Sequence, residues 1–292
     1  MNPVRFVYLT DTHVGCDDTG YFLQPRHLGR EEVLFQGLGR WLQENDVSFV
    51  IHGGDLTDHG AAAEIDRADA LCAMLDVPVY LCLGNHDLAQ ADSMQLWREA
   101  PCGLLPGGQD CFAADAGAAR VLVVSHHWHP TADYHWISNE AQTPRLDARQ
   151  IATLQGLMRD AGKPVIAVTH APLNAVPAEQ CGGDEPFHAP HAPYLTSWQR
   201  LAAEHANLRL VLCGHNHAHS QHDHGSFVSC TTAAFGEGPT QIRLITVTQD
   251  QIEIKTIGLA EVLGLPVLSD ADQAWCVGAA TDHHFSIPLN PN

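Results

Sequence analysis

Positive charge is scarce in this chain. Only 15 Lys and Arg stand against 34 Asp and Glu in 292 residues, a formal charge of −19 at pH 7 and a pI near 5.3. A face that grips nucleic acid or an anionic membrane needs clustered cations, so neither is an expected partner. No apolar stretch is long enough to span a bilayer, and the N-terminus enters a strand-like segment without a basic region or a small-residue cleavage site. The nine cysteines form no CxxC or CxxxxC pair. Cys72, Cys82 and Cys213 lie inside apolar patterns, and an odd number of scattered thiols fits a reducing compartment. A cytoplasmic enzyme is therefore expected. Internal repeats, low-complexity tracts and Pro/Ser-rich or charge-block linkers are missing too, which favours one large domain. The tail from residue 259 lacks a clear period, so the expected division is a domain over 1–258 and an unassigned tail over 259–292.

What the chain has is 45% hydrophobic residues, enough for a large core, and an outlying 20 histidines. Several apolar runs end abruptly in polar chemistry. Val4-Arg5-Phe6-Val7-Tyr8-Leu9 leads into Thr10-Asp11-Thr12-His13. The run at 47–51 leads into His52-Gly53-Gly54-Asp55-Leu56-Thr57-Asp58, and the run at 77–83 into Gly84-Asn85-His86-Asp87. Residues 164–168 deliver Thr169-His170, and residues 208–213 deliver Gly214-His215-Asn216-His217. Helical spacing of apolar residues falls between these runs, at 28–44, 61–75, 146–160 and 194–205, with a shorter helix or loop at 94–97. Strand–helix alternation predicts βαβ units and a parallel sheet, in which ligands collect beyond the carboxyl ends of the strands. Residues 111–113 and 120–124 read as a strand pair. The alternating segments at 226–231, 241–247 and 251–257 predict a second, largely antiparallel sheet.

Buried polar groups are costly unless they are paired or bind a metal. Asp11 and His13 are two residues apart, as are His215 and His217; on extended backbone each pair points to one side. Asp55 follows two glycines that permit a tight turn. Asn85 and His170 add an amide oxygen and an imidazole. Mixed Asp, Asn and His donors without thiolate suit Mn, Fe or Zn ions.

These motifs, Asp11-x-His13, Gly54-Asp55, Gly84-Asn85-His86-Asp87, His170 and Gly214-His215-x-His217, resemble in order and rough spacing the series of the calcineurin-like metallophosphoesterases, over about residues 4–257. The unsplit layout is similar to bacterial cyclic-nucleotide and glycerophosphodiester phosphodiesterases. The resemblance implies an α/β fold, a four-layer αββα sandwich of two mixed sheets flanked by helices, and two bound metal ions. One would be held by Asp11, His13, Asp55 and His217, and the other by Asp55, Asn85, His170 and His215. It implies hydrolysis of a phosphate ester by metal-activated hydroxide, most readily a small-molecule phosphodiester, with His86 as a non-ligand beside the scissile phosphate. Its general-acid role, and a role for Asp87 in orienting His86 or buttressing the turn, are expectations from the chemistry. A phosphomonoesterase, pyrophosphatase or phosphonate hydrolase could use the same site; a nuclease or a non-catalytic scaffold is a more distant alternative.

Other residues have weaker signals. Arg26 and His27, with Arg30, are rare positive charge just after the first motif and are candidate phosphate contacts. His126, His127 and Trp128 open an aromatic loop through Tyr134 and Trp136 that would either stack on a leaving group or pack on itself; the same holds for Phe187, His188, His191 and Tyr194. His52 and His59 read as structural, Asp58 as a helix cap, and His219, His222 and His224 as solvated side chains.

Overall fold

A computed structural model describes residues 2–18, 20–21, 24–101, 103–131, 133–138, 140–265 and 275–289. Strand β1 (Val4–Leu9) leads through the ribbon β2 (Gly20–Tyr21) and β3 (Gln24–Pro25) into helix α1 (Glu31–Glu44). Then come β4 (Phe49–His52), α2 (Ala62–Cys72), β5 (Val79–Leu81) and α3 (Ser93–Glu99). The hairpin β6 (Cys111–Ala116) and β7 (Ala119–Val124) is followed by α4 (Ala148–Ala161), β8 (Val165–Val168), α5 (Ala178–Cys181), α6 (Ala192–Glu204) and β9 (Leu208–Cys213). The last named elements are β10 (Ser220–Asp223), β11 (Val228–Thr231), β12 (Gln241–Val247), β13 (Gln251–Gly258), α7 (Ala280–His283) and β14 (His284–Pro288).

These strands form two six-stranded mixed sheets, ordered β14-β13-β12-β1-β4-β5 and β10-β11-β9-β8-β7-β6. Each has a parallel centre: β1, β4 and β5 in the first, and β7, β8, β9 and β11 in the second. The expectation of a separate antiparallel sheet from the late strands is corrected here. β12 pairs antiparallel with β1, and β13 with β12, whereas β11 joins the other sheet parallel to β9. Alternation reports that one strand face is buried; it does not say which sheet takes the strand. The tail expected to be unassigned beyond residue 258 contributes the edge strand β14, with Ile254 opposite Phe285.

Burial follows the apolar patterns. β4 and β8 are buried along their whole length, as strands covered on both faces must be. α1 buries Leu34, Phe35, Leu38, Trp41 and Leu42 on one stripe. It begins at Glu31 and not at residue 28, because Leu28 and Gly29 form a turn in which Gly29 has φ +65°. α4 opens on a capping box in which Asp147 accepts from the Gln150 N–H and the Gln150 side chain accepts from the Asp147 N–H; it closes at Gly162 in left-handed conformation. An aromatic series joins the sheets: Phe6 stacks on Phe49 at 4.9 Å, Phe49 meets Tyr80 at 5.7 Å, and Tyr80 meets Phe112 of β6 at 5.9 Å. The Leu83 N–H donates to Ser125 Oγ at 2.9 Å, linking the loops after β5 and β7. Among the described residues no helix is long and apolar enough to cross a membrane.

Candidate metal centre

The parallel centres of the two sheets bring their carboxyl ends to one place. Asp11 and His13 follow β1, Asp55 follows β4, Asn85 follows β5, His170 follows β8, and His215 and His217 follow β9. All but His215 are almost completely buried, and His215 is part-buried. The expected extended backbone for the paired ligands does not hold: Asp11, His13, Asp55, His215 and His217 all have positive φ, between 50° and 70°. Left-handed backbone at a non-glycine residue costs about 1–3 kcal/mol and persists where surrounding structure imposes it. Here hydrogen bonds between the loops do so. The Asp11 N–H donates to the Gly54 carbonyl at 2.9 Å, the His13 N–H to that of Asp55 at 3.0 Å, and the Phe235 N–H to that of Thr10 at 2.9 Å.

Among the described residues three groups of donors result, of which one, His13, Asp58 and His86, flanks the two built from the expected ligands. Asp11, His13 and His217 form one, and Asp55, His170 and His215 the other, each with donor atoms within 4.8 Å of one another. In the first, the Nε2 atoms of His13 and His217 face each other at 3.3 Å, and Asp11 Oδ1 lies 3.3 Å from His217 Nε2. In the second, Asp55 Oδ2 lies 3.1 Å from His170 Nε2, and Asn85 Oδ1 lies 2.9 Å from His215 Nδ1. Asp55 Oδ2 also lies 4.0 Å from His13 Nε2, and Asp11 Oδ1 3.8 Å from His170 Nε2, so the clusters adjoin. All seven expected ligands are therefore gathered in one place.

Their orientation is held from behind. His13 Nδ1 donates to Asp58 Oδ1 at 2.8 Å, His217 Nδ1 to Glu237 Oε2 at 3.1 Å, and His170 Nδ1 to the Gly53 carbonyl at 2.9 Å. With each Nδ1 occupied, the neutral ring turns its Nε2 lone pair inward. Asp58 is thus no helix cap, since α2 starts after Ala61; it holds the ring of His13. Glu237, which carries no motif, does the same, and it also accepts from Arg26 Nε at 2.8 Å. It reaches the site because it precedes β12, which runs opposite to β1. Glu237→Gln is expected to lower metal affinity about 10–100-fold with the fold retained, the usual effect of losing such a supporting group. Calorimetric titration with Mn²⁺ measures it, and an unchanged affinity would remove Glu237 from this role.

The electrostatics are those of carboxylates and imidazoles packed together out of water. Burial would raise the Asp55 carboxyl, but His170, then His86 and His13, hold it well below the ordinary carboxylate range. Asp11 is pulled down against its burial in the same way by His217 and His170. Burial would lower the imidazoles, but Asp55 and Asp11 push His170 up to about 9, and Glu237 and Asp11 push His217 up to about 10. Burial and neighbouring imidazoles hold His215 well below the usual histidine value.

Close backbone approach explains two of the motif glycines. A Cβ on Gly84 would sit 2.1 Å from Asp55 Oδ1, and one on Gly214 would sit 2.2 Å from Thr10 Oγ1. Asp87 ties the loops after β4 and β5 together: its carboxylate accepts from the Thr57 N–H at 2.8 Å, the Thr57 hydroxyl at 3.0 Å and the Gly84 N–H at 2.9 Å. It buttresses the turn and does not orient His86, whose Nδ1 donates to the Asp58 carbonyl at 2.7 Å. His52, 1% exposed, is structural: its Nε2 is 2.8 Å from Thr12 Oγ1.

A cavity of ≈ 320 Å³ opens over the clusters, lined by ligands and by His86, Arg26, Trp136 and His188. The His86 ring lies 5.0 Å from Trp136. Of the weaker candidates, Arg26 lines this cavity, whereas His27 turns away to Thr240 Oγ1 at 2.7 Å. The expectation of substrate contact by His126 and His127 is corrected. His126 is 0% exposed and packs between Trp128 and Tyr194, and His127 is 3% exposed, bonded to Asp147 and stacked on Tyr134. The apolar strand β7 carries them inward with it. Trp128 is 1% exposed and packs against His215 at 5.6 Å. His219, expected in solvent, is 0% exposed and bonded to Gln241 Oε1 at 2.7 Å.

Residues 4–219 match the family described as calcineurin-like phosphoesterase. The chain belongs to this family. A probable cyclic nucleotide phosphodiesterase from Rhodopseudomonas palustris is 37% identical over 90 residues, which is 30% of this chain and 31% of that protein; the match thus spans under a third of that relative's length. A dimetal phosphatase from Danio rerio shares the fold with a TM-score of 0.70 at 15% identity, over 98% of this chain and 99% of that one. So does GAP50, the anchor in the inner membrane complex of Plasmodium, with a TM-score of 0.60 at 10% identity, over 99% of this chain and 90% of that one. At these identities the structural likeness shows the phosphoesterase fold alone.

The donor set fits the metals this family implies. His170 Nε2 is buried without a well-aligned hydrogen bond, and the oxygen and imidazole donors converge without any thiolate.

Proposed function

We propose that this chain is a two-metal hydrolase of phosphate esters whose substrate is a small phosphodiester, a nucleoside cyclic phosphate ahead of a glycerophosphodiester. The observation that carries the reaction class is the pair of Nε2 atoms of His13 and His217, 3.3 Å apart, while both Nδ1 atoms donate to carboxylates. A proton on His217 bridges the pair at neutral pH, and a metal ion that displaces it would meet both nitrogens. Asp11, His13, Asp55 and His217 would hold one ion, and Asp55, Asn85, His170 and His215 the other, with Mn, Fe or Zn the ions that suit these donors. Such ions supply charge stabilisation to phosphoryl oxygens and lower the pKa of water.

The chain's own groups do the rest. His86 is the proton carrier: the Asp58 carbonyl holds Nδ1–H, and a second proton on Nε2 passes to the departing oxygen and leaves the ring neutral. Asp87 keeps that loop in register with the loop of Asp55. Arg26 is the guanidinium at the cavity wall, set by Glu237 and available to a phosphate oxygen. The cyclic nucleotide preference draws support from the Rhodopseudomonas relative.

Purified protein supplied with Mn²⁺ should cleave bis(p-nitrophenyl) phosphate, lose that activity to a chelator, and regain it with Mn²⁺, Fe²⁺ or Zn²⁺ supplied in turn. Metal-replete protein inert towards diesters and monoesters alike would overturn the proposal and leave a scaffold role.

A further inference from the structure

Beside the cavity over the metal ligands lies a second one of ≈ 270 Å³, which shares Gln142, His188 and His215 with it. The two adjoin, so a group attached to a phosphate in the first can extend past His188 into the second. The walls of the second differ in kind. Trp128, Pro144, Ala171, Pro172 and Ala189 line it, and among the described residues no Asp, Glu, Lys or Arg does. His188 stands at the junction, with its ring stacked on His215 at 5.0 Å and on Phe187 at 3.9 Å. The Nδ1 atoms of His188 and His191, both lining residues, are buried without a hydrogen-bond partner.

We propose that this second cavity is the seat of an uncharged planar heterocycle, the base of a nucleoside phosphodiester. The inference rests on the phosphoesterase reading of the adjoining site and adds the chemical class of the organic group. A glycerol-like group has no flat apolar face to lay on the proline and alanine walls, and its hydroxyls would compete for the Gln142 amide. A second phosphate or a choline would meet no charged partner there. A heterocycle has apolar faces for the proline and alanine walls. Its edge acceptors and donors can meet the Gln142 amide.

Adenosine, which has the heterocycle but no phosphate, tests the cavity without turnover. Ligand-observed NMR titration of the Mn²⁺-loaded protein should show saturable adenosine binding and none for glycerol. Ala189 is on an exposed loop, so Ala189→Trp can fill the cavity from outside. It should weaken adenosine at least about tenfold and leave Mn²⁺ affinity unchanged. Absence of adenosine binding, or equal binding by Ala189→Trp, overturns the proposal. Hydrolysis of bis(p-nitrophenyl) phosphate by the same preparation separates the two readings. Hydrolysis without adenosine binding removes the subsite and leaves the reaction, whereas adenosine binding without hydrolysis removes the reaction and leaves the subsite.

Discussion

Asp55→Ala is expected to empty both metal positions and cut turnover at least about a thousandfold, whereas Asn85→Ala should leave one ion bound. Each bound ion supplies several kcal/mol of charge stabilisation, and about 1.4 kcal/mol is a factor of ten, so losing both costs roughly a thousandfold or more. The difference between the variants comes from position. Asp55 Oδ2 lies 3.1 Å from His170 of one cluster and 4.0 Å from His13 of the other, so both groups lose a shared oxygen. Asn85 contacts His215 alone among the ligand imidazoles, at 2.9 Å, and is neutral. Neither change should unfold the chain. Removing Asp55 also removes the largest influence that raises His170, whose ring can then stay neutral in the interior. Metal content per chain by mass spectrometry, with circular dichroism as a check on folding, decides the matter. Two ions retained in Asp55→Ala, or the same content in both variants, would refute the shared-ligand assignment.

The convergence of these seven residues was legible in the sequence because each follows an apolar run, and strand ends of a parallel sheet converge by topology. Asn85 and His86 could be read from four residues. Asp58 and Glu237 could not be read as partners of His13 and His217, because nothing local distinguishes a carboxylate that orients a ligand from one that caps a helix. Glu237 is brought in only by the antiparallel pairing of β12 with β1. That pairing was equally hidden, since alternation in 241–247 is satisfied by either sheet. His219 shows a further limit: a histidine in a polar run looks solvated until Gln241 is seen to satisfy its Nε2. The left-handed backbone at Asp11, His13, Asp55, His215 and His217 was also out of reach, because it is imposed by hydrogen bonds between loops distant in sequence.

Metal-free protein should lose stability as pH rises from about 6.5 to 10, while metal-loaded protein should not. An ordinary imidazole titrates near about 6.5, but His170 is raised to about 9 and His217 to about 10 by the carboxylates around them. A raised folded value means the folded state holds those protons more tightly than the unfolded chain does. That stabilisation is complete below the ordinary imidazole range and disappears as pH climbs through 9 and 10. Asp11 and Asp55 are lowered, so their contribution is present above the ordinary carboxylate range and is lost only on strong acidification. The metal-free site is therefore held together by protons between these limits. A metal ion must displace them, since it binds the deprotonated imidazoles. Adding Mn²⁺ at neutral pH should accordingly release about two protons per chain, one each from His170 and His217. Calorimetry in two buffers of different ionisation enthalpy counts them, and thermal melts with and without Mn²⁺ across this pH range follow the stability. Binding without proton release would mean that the imidazoles are already neutral, and the carboxylates would then have to hold the cluster unaided.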